Sequence, residues 1–339
     1  MRYKLLGRSG LRVSELCLGT MTFGEEWGWG AGKEESFQMY KKFIDAGGNF
    51  IDTANRYTEG TSEKFLGEFI GSERPNIVLA TKYTLFEDKR YLNRSGNHRK
   101  NMVQSLENSL KRLKTDYIDL YYLHVWDSTT PEDEILRALD DMVRAGKILY
   151  IGISDTPAWI VSRCNTLAEL MGWSRFISLQ VEYSLIERTP ERDLIPMAEH
   201  MGLALAGWAP IAGGVLSGKY LEGETGRVKE GSPRLNERAV KIAKKTAEIA
   251  KSKNCTPTQV AVRWVMQKNR INVPIIGARK LSQLEDSLTS ADIELNENEM
   301  KELNEVSGIE LGFPHDFIRS AGPQNVMYGD QKKFFDFQS

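Results

Sequence analysis

Residues 117–153 read YIDLYYLHVWDSTTPEDEILRALDDMVRAGKILYIGI, two apolar runs on either side of an amphipathic stretch. The runs at 117–123 and 148–153 are short and largely apolar, which is typical of parallel strands buried on both faces. Thr130-Pro131-Glu132-Asp133 combines a capping residue, a first-turn proline and acidic residues, and Ala145-Gly146-Lys147 supplies a stop signal. A helix is therefore predicted between the runs, and the segment predicts one βαβ unit of a parallel sheet.

The same alternation extends through the whole chain. Residues 3–13 predict a β-hairpin that turns at Ser9-Gly10. Eight strands alternating with helices favour a closed (β/α)8 barrel, the TIM-barrel form of the α/β class. The predicted strands are 16–19, 49–52, 77–81, 117–123, 148–153, 177–181, 203–207 and 272–276. The predicted helices are 33–46, 99–113, 131–144, 191–200 and 257–267, with an additional one near 235–251.

We expect a single barrel domain over residues 1–339, with the hairpin as an N-terminal cap and a C-terminal tail at about 312–339. An ordinary barrel needs about 250 residues. The surplus is available for the hairpin, the additional helix, long loops and the tail. No Pro/Ser-rich linker divides the chain into two parts.

The composition limits the classes of function. The 339 residues carry 45 Lys and Arg against 46 Asp and Glu, a formal net charge of −1, which argues against electrostatic binding of nucleic acid. No run approaches the roughly 18 apolar residues of a membrane span, and the N-terminus lacks the apolar core of a secretory signal. Three widely spaced cysteines favour reduced thiols, and the four histidines form no metal-binding pattern with them. We expect a cytoplasmic protein with no metal and with neither a nucleic-acid nor a membrane partner.

Four polar side chains lie at or beyond predicted strand ends, where a barrel holds its active site. Asp52 ends the second strand and Tyr57 follows five residues later, while Lys82 and His124 follow the third and fourth strands. Each alone has a simpler explanation: a helix cap, a loop aromatic, a solvated charge or a core histidine. Together they suit proton delivery to a carbonyl group. A lysine lowers the pKa of a neighbouring tyrosine, a carboxylate keeps the lysine charged, and a histidine orients the carbonyl oxygen.

The order and spacing of several segments are more specific than any single motif. They are residues 48–57 (GNFIDTANRY), 60–63 (GTSE), 80–82 (ATK), 119–124 (DLYYLH), 152–154 (GIS), 180–185 (QVEYSL) and 276–279 (IGAR). Through them the chain resembles the aldo-keto reductases over essentially its whole length. Residues 182–185 and 312–317 (GFPHDF) make it most similar to the bacterial and fungal aryl-alcohol-dehydrogenase-like branch. The resemblance implies an NADPH-dependent oxidoreductase that reduces aldehydes and ketones to alcohols, with the catalytic tetrad Asp52, Tyr57, Lys82 and His124 and with Tyr57 as general acid.

The cofactor site is not of the usual dinucleotide kind. No Gly-x-Gly-x-x-Gly follows a predicted strand, so a Rossmann fingerprint is absent. Residues 213–219 (GGVLSGK) match most of a P-loop, but Tyr220 stands in place of the magnesium-binding Ser or Thr. Glycines and a lysine beyond the seventh strand can still hold a phosphate through backbone N–H groups. The resemblance accounts for this pattern, because aldo-keto reductases bind nicotinamide cofactors directly on the barrel.

The resemblance also implies individual contacts. Ser154 and Gln180 would bind the nicotinamide carboxamide and Trp208 would stack on its ring. Asp155 stands where the family often has Asn, and a carboxylate accepts hydrogen bonds but cannot donate them. Arg279 would grip the 2′-phosphate, which predicts a preference for NADPH over NADH. The diphosphate contacts would be Pro210, Ile211, Gly213 and Lys219, and the remaining contacts at the adenosine end would be Gly277, Gln283 and Asp286.

Aromatic residues in loops over the predicted mouth indicate an apolar or aromatic carbonyl substrate. The candidates are Trp27, Trp29, Tyr91 and Trp126, and the alternative for each is internal packing. Two other functions stay open. One is a cofactor-binding regulatory subunit similar to the potassium-channel β-subunits, and the other is an aldolase that forms a Schiff base on Lys82.

Overall fold

The structure is a computed structural model that describes residues 1–223, 228 and 231–335. It begins with a two-stranded hairpin of β1 (Tyr3–Leu5) and β2 (Arg12–Ser14). The following strands are β3 (Cys17–Gly19), β4 (Phe50–Asp52), β5 (Val78–Tyr83), β6 (Ile118–Leu123), β7 (Ile148–Ser154), β8 (Phe176–Glu182), β9 (Ala204–Trp208) and β10 (Asn272–Ile276). The α-helices are α1 (Lys33–Asp45), α2 (Thr61–Phe69), α3 (Arg99–Leu113), α4 (Glu132–Arg144), α5 (Ala158–Met171), α6 (Leu194–Met201), α7 (Glu237–Ser252), α8 (Pro257–Lys268), α9 (Leu281–Leu288), α10 (Glu297–Val306), α11 (His315–Arg319) and α12 (Ala321–Tyr328).

Strands β3 to β10 form one closed parallel sheet. They pair in chain order, and β10 pairs back to β3, with Ile275 opposite Cys17 and Ile276 opposite Leu18. The predicted (β/α)8 barrel is confirmed, and the predicted strand bounds differ from the observed ones by one or two residues at most. The apolar runs fixed these bounds well because each strand is buried on both faces.

The hairpin caps the N-terminal end of the barrel, as predicted. Lys4 Nζ donates to the carbonyl oxygen of Asn272, the first residue of β10, at 2.6 Å. Gly7 has a φ of +57°, and a Cβ at that position would lie 2.2 Å from the carbonyl oxygen of Ile177. Only glycine permits this approach, so the hairpin seals one end and leaves the other end for a site.

One predicted helix begins later than expected. Residues 191–200 were predicted as helix, whereas the structure has a 3-10 turn at Thr189–Glu191 and then α6 from Leu194. Pro196 explains the shift. In α6 it lies in the first turn, where its missing N–H is not needed, but in a helix beginning at 191 its ring would clash with the preceding turn.

Side chains on the barrel strands point alternately outward to the helices and inward to the barrel axis. On β6, Tyr121 and Leu123 pack in the outer core beneath the helices, whereas Leu120 and Tyr122 fill the interior. On β4, Phe50 likewise points inward. The inward set continues to the C-terminal ends of the strands and determines which residues reach the open mouth.

Within the described ranges, no helix has both the length and the apolar character required to cross a membrane. Cys17, Cys164 and Cys255 are free thiols. The same residues include no group of three or more His, Cys, Asp or Glu side chains arranged to hold a metal ion.

Candidate active site

The inward alternation brings polar side chains to the C-terminal mouth of the barrel. Asp52 and Lys82 lie two positions beyond interior residues of β4 and β5, and His124 lies two positions beyond an interior residue of β6. Gln180 on β8 and Trp208 on β9 occupy equivalent inward positions. Because parallel strands end at the same rim, residues distant in sequence meet there.

Lys82 joins the candidate catalytic residues. Its side chain is fully buried, and Nζ donates to Asp52 Oδ2 at 2.6 Å, to the Thr53 carbonyl oxygen at 2.8 Å and to the Tyr57 hydroxyl oxygen at 3.1 Å. These bonds engage all three donors of an ammonium group. Burial by itself lowers the pKa of Lys82, but Asp52 and Tyr57 outweigh burial and raise that pKa above its usual value. Lys82 is therefore a fixed, charged ammonium.

The side chain of Tyr57 is partly buried and lines the cavity. Burial raises the pKa of Tyr57, and the charge and hydrogen bond of Lys82 oppose that rise without overcoming it. The lysine thus acts in the predicted direction, but the net shift is upward, contrary to the sequence-based expectation. The physical reason is that desolvation of a phenolate outweighs its attraction to one ammonium group that is already paired with Asp52. Tyr57 is a protonated phenol in this state, as a proton donor must be.

His124 lies edge-on to Tyr57, with ring centroids 5.9 Å apart and an interplanar angle of 79°. Burial and then the charge of Lys82 lower the pKa of His124 well below its usual range, so its imidazole is neutral. Nδ1 of His124 is buried and has no hydrogen-bond partner among the described residues. A neutral imidazole offers one donor and one acceptor, which suits the orientation of a carbonyl oxygen.

Asp155 and Trp208 form a second pair at the mouth, where the indole Nε1 of Trp208 donates to Asp155 Oδ1 at 3.3 Å. The carboxyl group of Asp155 faces an open cavity, yet burial among the surrounding groups raises its pKa to about 6, with Trp208 and Lys82 opposing. A protonated carboxyl group both donates and accepts hydrogen bonds. Below about pH 6 Asp155 can supply such a donor, whereas at neutral pH its carboxyl group is mostly ionised and only accepts hydrogen bonds.

A cavity of about 550 Å³ opens at this end of the barrel, within the size range of ligand pockets. Asp52, Tyr57 and His124 line it, while Lys82 lies behind them. Every residue predicted to contact a cofactor also lines it, although those roles remain predictions. They are Ser154, Asp155, Gln180, Trp208, Pro210, Ile211, Gly213, Lys219, Gly277, Arg279, Gln283 and Asp286.

A glycine turn follows β9 on one wall of the cavity. Gly213 and Gly214 adopt φ values of 68° and 96°, and a Cβ on Gly214 would lie 3.2 Å from Lys219 Nζ. Glycines in this left-handed region expose backbone N–H groups, and a nearby ammonium adds positive charge. The turn has the chemistry of a phosphate site. Two other predicted contacts make internal bonds, because Gln283 Oε1 accepts from the backbone N–H of Arg279 and Gln180 Nε2 donates to Asp52.

Residues 15–307 match the aldo/keto reductase family. The chain belongs to that family. It is 40% identical to norsolorinic acid reductase stcV of Emericella nidulans over 323 residues, which cover 91% of this chain and 82% of that relative. It is 36% identical to aryl-alcohol dehydrogenase (NADP(+)) of Phanerodontia chrysosporium, with 94% of this chain and 89% of the relative covered. It is also 36% identical to an aryl-alcohol dehydrogenase of Pestalotiopsis microspora, with 99% and 91% covered.

These similarities confirm the predicted family and its aryl-alcohol-dehydrogenase-like branch. The chain is an enzyme, an oxidoreductase of the aldo/keto reductase family. Asp286, predicted at the adenosine end, accepts hydrogen bonds from Thr256 Oγ1 at 2.7 Å and from Gln259 Nε2 at 2.9 Å. In this aldo/keto reductase, Asp286 Oδ1 thus helps to stabilise the N-terminus of α8. Fewer hydrogen-bond acceptor sites of Asp286 are then available to a ligand.

The predicted substrate residues of the reductase are not all in the cavity. Trp27 lines it, and Trp29 packs on Trp27 with ring centroids 5.7 Å apart but does not reach it. Tyr91 is 59% exposed and lies outside it. Trp126 lines a separate groove with Trp159. Because β6 ends at Leu123, the strand alternation that carries His124 inward no longer determines the direction of Trp126.

Other residues of the reductase line the cavity without having been predicted from sequence. Met21 and Leu85 add apolar surface, and Arg56 and Arg234 add positive charge. Arg234 pairs with Glu182 at 2.8 Å. The sequence shows that Arg56 precedes Tyr57. The position of the Arg56 side chain, however, depends on the conformation of the turn that follows Tyr57.

Proposed function

We propose that this aldo/keto reductase reduces aldehydes and ketones to alcohols with NADPH and that Tyr57 donates the proton. The observation that carries the proposal is the 3.1 Å hydrogen bond between Lys82 Nζ and the Tyr57 hydroxyl, at the base of a cavity that His124 also lines. A partly buried phenol beside a fixed ammonium is a proton donor whose conjugate base is stabilised where it forms.

The residues around the cavity fit a nicotinamide cofactor. Ser154 Oγ is buried without a partner among the described residues, so a ligand atom there would satisfy it. The turn at Gly213 and Gly214, with Lys219, suits a diphosphate, and Arg279 suits a 2′-phosphate. Bound there, the cofactor supplies the hydride that the carbonyl carbon receives.

The chain's own residues handle the proton. The Tyr57 hydroxyl donates to the carbonyl oxygen, and its proton moves to that oxygen as negative charge develops there. The phenolate left behind is stabilised by the ammonium of Lys82, which Asp52 holds charged and in place. The neutral imidazole of His124 offers a hydrogen bond that orients the same oxygen.

The contacts of Lys82 favour reduction over the aldolase alternative. A Schiff base requires a free, unprotonated amine. The three hydrogen bonds of Lys82 and its raised pKa keep it an ammonium. The regulatory-subunit alternative makes a different prediction, namely cofactor binding without turnover.

We further propose a single barrel domain that acts in the cytoplasm on an apolar or aromatic carbonyl compound. The free thiols of Cys17, Cys164 and Cys255 support a reducing compartment. Trp27 and Leu85 on the cavity wall support an apolar or aromatic substrate.

The test is a panel of aromatic and aliphatic aldehydes and ketones, followed through NADPH absorbance and product analysis, with NADPH binding measured separately by calorimetry. We expect aromatic aldehydes to give one alcohol per NADPH consumed. Binding of NADPH without turnover of any carbonyl compound would contradict the proposal and favour the regulatory subunit. A borohydride-trapped substrate adduct on Lys82 would favour the aldolase.

A further inference from the structure

We infer that Arg56 makes the site selective for aromatic carbonyl compounds that carry a carboxylate. The inference rests on the proposed reductase function and concerns the cavity wall next to Tyr57. Arg56 directly precedes Tyr57 in the chain, and both residues line the same cavity. A ligand whose carbonyl group meets Tyr57 therefore shares the cavity with this cation.

The guanidinium of Arg56 has more donors than partners. The side chain is 19% exposed, and its ion pair with Glu59 is its one polar contact among residues 1–223, 228 and 231–335. A guanidinium has five N–H donors, and one carboxylate accepts at most two of them in a fork. Poorly solvated donors without acceptors are unfavourable. A planar anion in the cavity would accept hydrogen bonds from the N–H donors of Arg56 that Glu59 does not engage.

One aromatic ring contacts the guanidinium of Arg56 directly, and a second contacts its acidic partner. The central carbon of the guanidinium lies 4.4 Å from the ring centroid of Phe86. Glu59, the partner of Arg56, also accepts a hydrogen bond from the indole Nε1 of Trp27 at 3.1 Å. Trp27 lines the cavity. The wall next to Tyr57 therefore combines a fixed cation with aromatic surface, which is the complement of an aromatic ring bearing an acid group.

The backbone that brings Glu59 back to Arg56 is strained. Thr58 and Glu59 have φ values of 46° and 56°, in the left-handed region that a β-branched residue such as threonine rarely occupies. The Thr58 hydroxyl fixes this turn by donating to the carbonyl oxygen of Phe23 at 2.5 Å. Strain that is held in place directly beside a reacting group is typical of a functional arrangement.

The other cations near the cavity are less suited to a substrate anion. Lys82 is buried, and its three donors are engaged by the protein. Arg234 also pairs with one acid, Glu182, but its guanidinium lies 5.6 Å from the ring centroid of Trp208, on the wall proposed for the nicotinamide. Lys219 and Arg279 belong to the part of the cavity proposed for the cofactor. Arg56 is thus the group from which a carboxylate can gain a bidentate contact close to Tyr57.

The test compares the three carboxybenzaldehyde isomers with their methyl esters, which differ in charge but hardly in shape. The readout is the ratio of kcat/KM for each acid to that of its ester, measured as NADPH oxidation. We expect at least one isomer to be favoured by about tenfold to a hundredfold as the acid, the effect of one charged hydrogen-bonded pair. Arg56→Gln should bring that ratio to about one. Arg56→Lys should give an intermediate value, because it keeps the charge and loses the fork.

Arg137→Gln is the matched control. Arg137 also pairs with an acid, Asp141, and lies over an aromatic ring, that of Trp173, but it is on α4 and does not line the cavity. The Arg137→Gln variant should retain the wild-type ratio of kcat/KM for the acid to kcat/KM for its ester. Equal kcat/KM for every acid and its ester in the wild type would overturn the inference, as would an unchanged ratio in Arg56→Gln. Reduction of the esters without acid preference overturns this inference alone, whereas no reduction of any of them overturns the proposed function as well.

Discussion

Gln180 and Asp52, 128 residues apart in the chain, are joined across the barrel mouth by a hydrogen bond of 2.9 Å from Gln180 Nε2 to Asp52 Oδ1. The other carboxylate oxygen of Asp52 accepts from Lys82, and Lys82 in turn donates to the Tyr57 hydroxyl. The phenol is therefore held by side chains from three strands, β8, β4 and β5. In this series of hydrogen bonds Lys82 positions Tyr57, and Asp52 positions Lys82. We therefore expect substitutions of Tyr57 and of Lys82 to have different effects, which can be measured separately.

Tyr57→Phe should lower kcat by about 10² to 10⁴-fold, the usual contribution of a general acid. The ring still fills its place, so the dissociation constant for NADPH should hardly change. Tyr91→Phe is a matched control, because Tyr91 is 59% exposed and does not line the cavity. Wild-type kcat in Tyr57→Phe with an aromatic aldehyde would show that another group delivers the proton.

Lys82→Met should reduce the free energy of unfolding by about 3–5 kcal/mol, because it leaves the buried carboxylate of Asp52 without its cation. It should also abolish most turnover and change the pH–rate profile, since Tyr57 loses the charge that stabilises its phenolate. Urea denaturation measures the first effect. Lys147→Met removes an exposed partner of Glu107 and should cost about 1 kcal/mol or less. Equal losses in the two variants would contradict the role of the buried pair.

Asp155→Asn should become more stable relative to the wild type as the pH rises. The pKa of Asp155 is raised to about 6 by burial, against about 3.9 in an unfolded chain. Between these values the folded protein binds the proton and the unfolded chain does not, so wild-type stability falls as the pH rises from about 4 to about 6. Asparagine does not titrate, so the difference in melting temperature should grow between about pH 4 and pH 6 and level off above that interval.

The control for this titration is Asp88→Asn. Hydrogen bonds from Arg90 lower the pKa of Asp88 to about 2, so this residue is ionised throughout the same pH interval. Its variant should differ from the wild type by an amount that does not depend on pH. A flat difference for Asp155→Asn as well would mean that Asp155 keeps an ordinary aspartate pKa.

Arg279→Ala should weaken NADPH binding about tenfold to a hundredfold and leave NADH binding nearly unchanged, because a charged hydrogen bond contributes about 1.5–3 kcal/mol. Glu285, an acid close to this site, is paired with Lys42 at 2.9 Å and does not cancel the charge of Arg279. Dissociation constants of both cofactors give the result. Lys280→Ala, a change at the exposed neighbour, should alter neither. Equal losses for NADPH and NADH in Arg279→Ala would exclude contact with the 2′-phosphate.

The strands, and the direction of the side chains at their ends, could be predicted from sequence because both follow from the burial and geometry of a parallel strand. Burial on two faces produces the apolar runs, and the alternation of side chains then fixes that Asp52 and Lys82 point inward. The loops follow no such rule. Trp126 lies two residues beyond His124, but after the end of β6 its direction depends on tertiary contacts, and it lies in a different groove.

Arg56 could not be assigned from sequence for a related reason. Its neighbours Thr58 and Glu59 adopt left-handed backbone conformations that neither residue type favours, so local propensity predicts a different turn. The contacts of Phe23 and Trp27 with that turn override propensity, and they come from a loop more than thirty positions earlier. The net pKa of Tyr57 was missed similarly, since the extent of its desolvation depends on the assembled barrel.

The pairing of β10 with β3 determines when the barrel can close during synthesis of the protein. The seam joins Cys17 to Ile275, so the barrel remains unclosed until β10, the last of its strands, has been synthesised. At about 5–20 residues per second, the ribosome needs about 10–50 seconds to pass from one side of the seam to the other. During that time β3 is an edge strand with unpaired backbone groups, the kind of edge at which chains aggregate. It is only three residues long, which leaves a second chain little to pair with before β10 arrives.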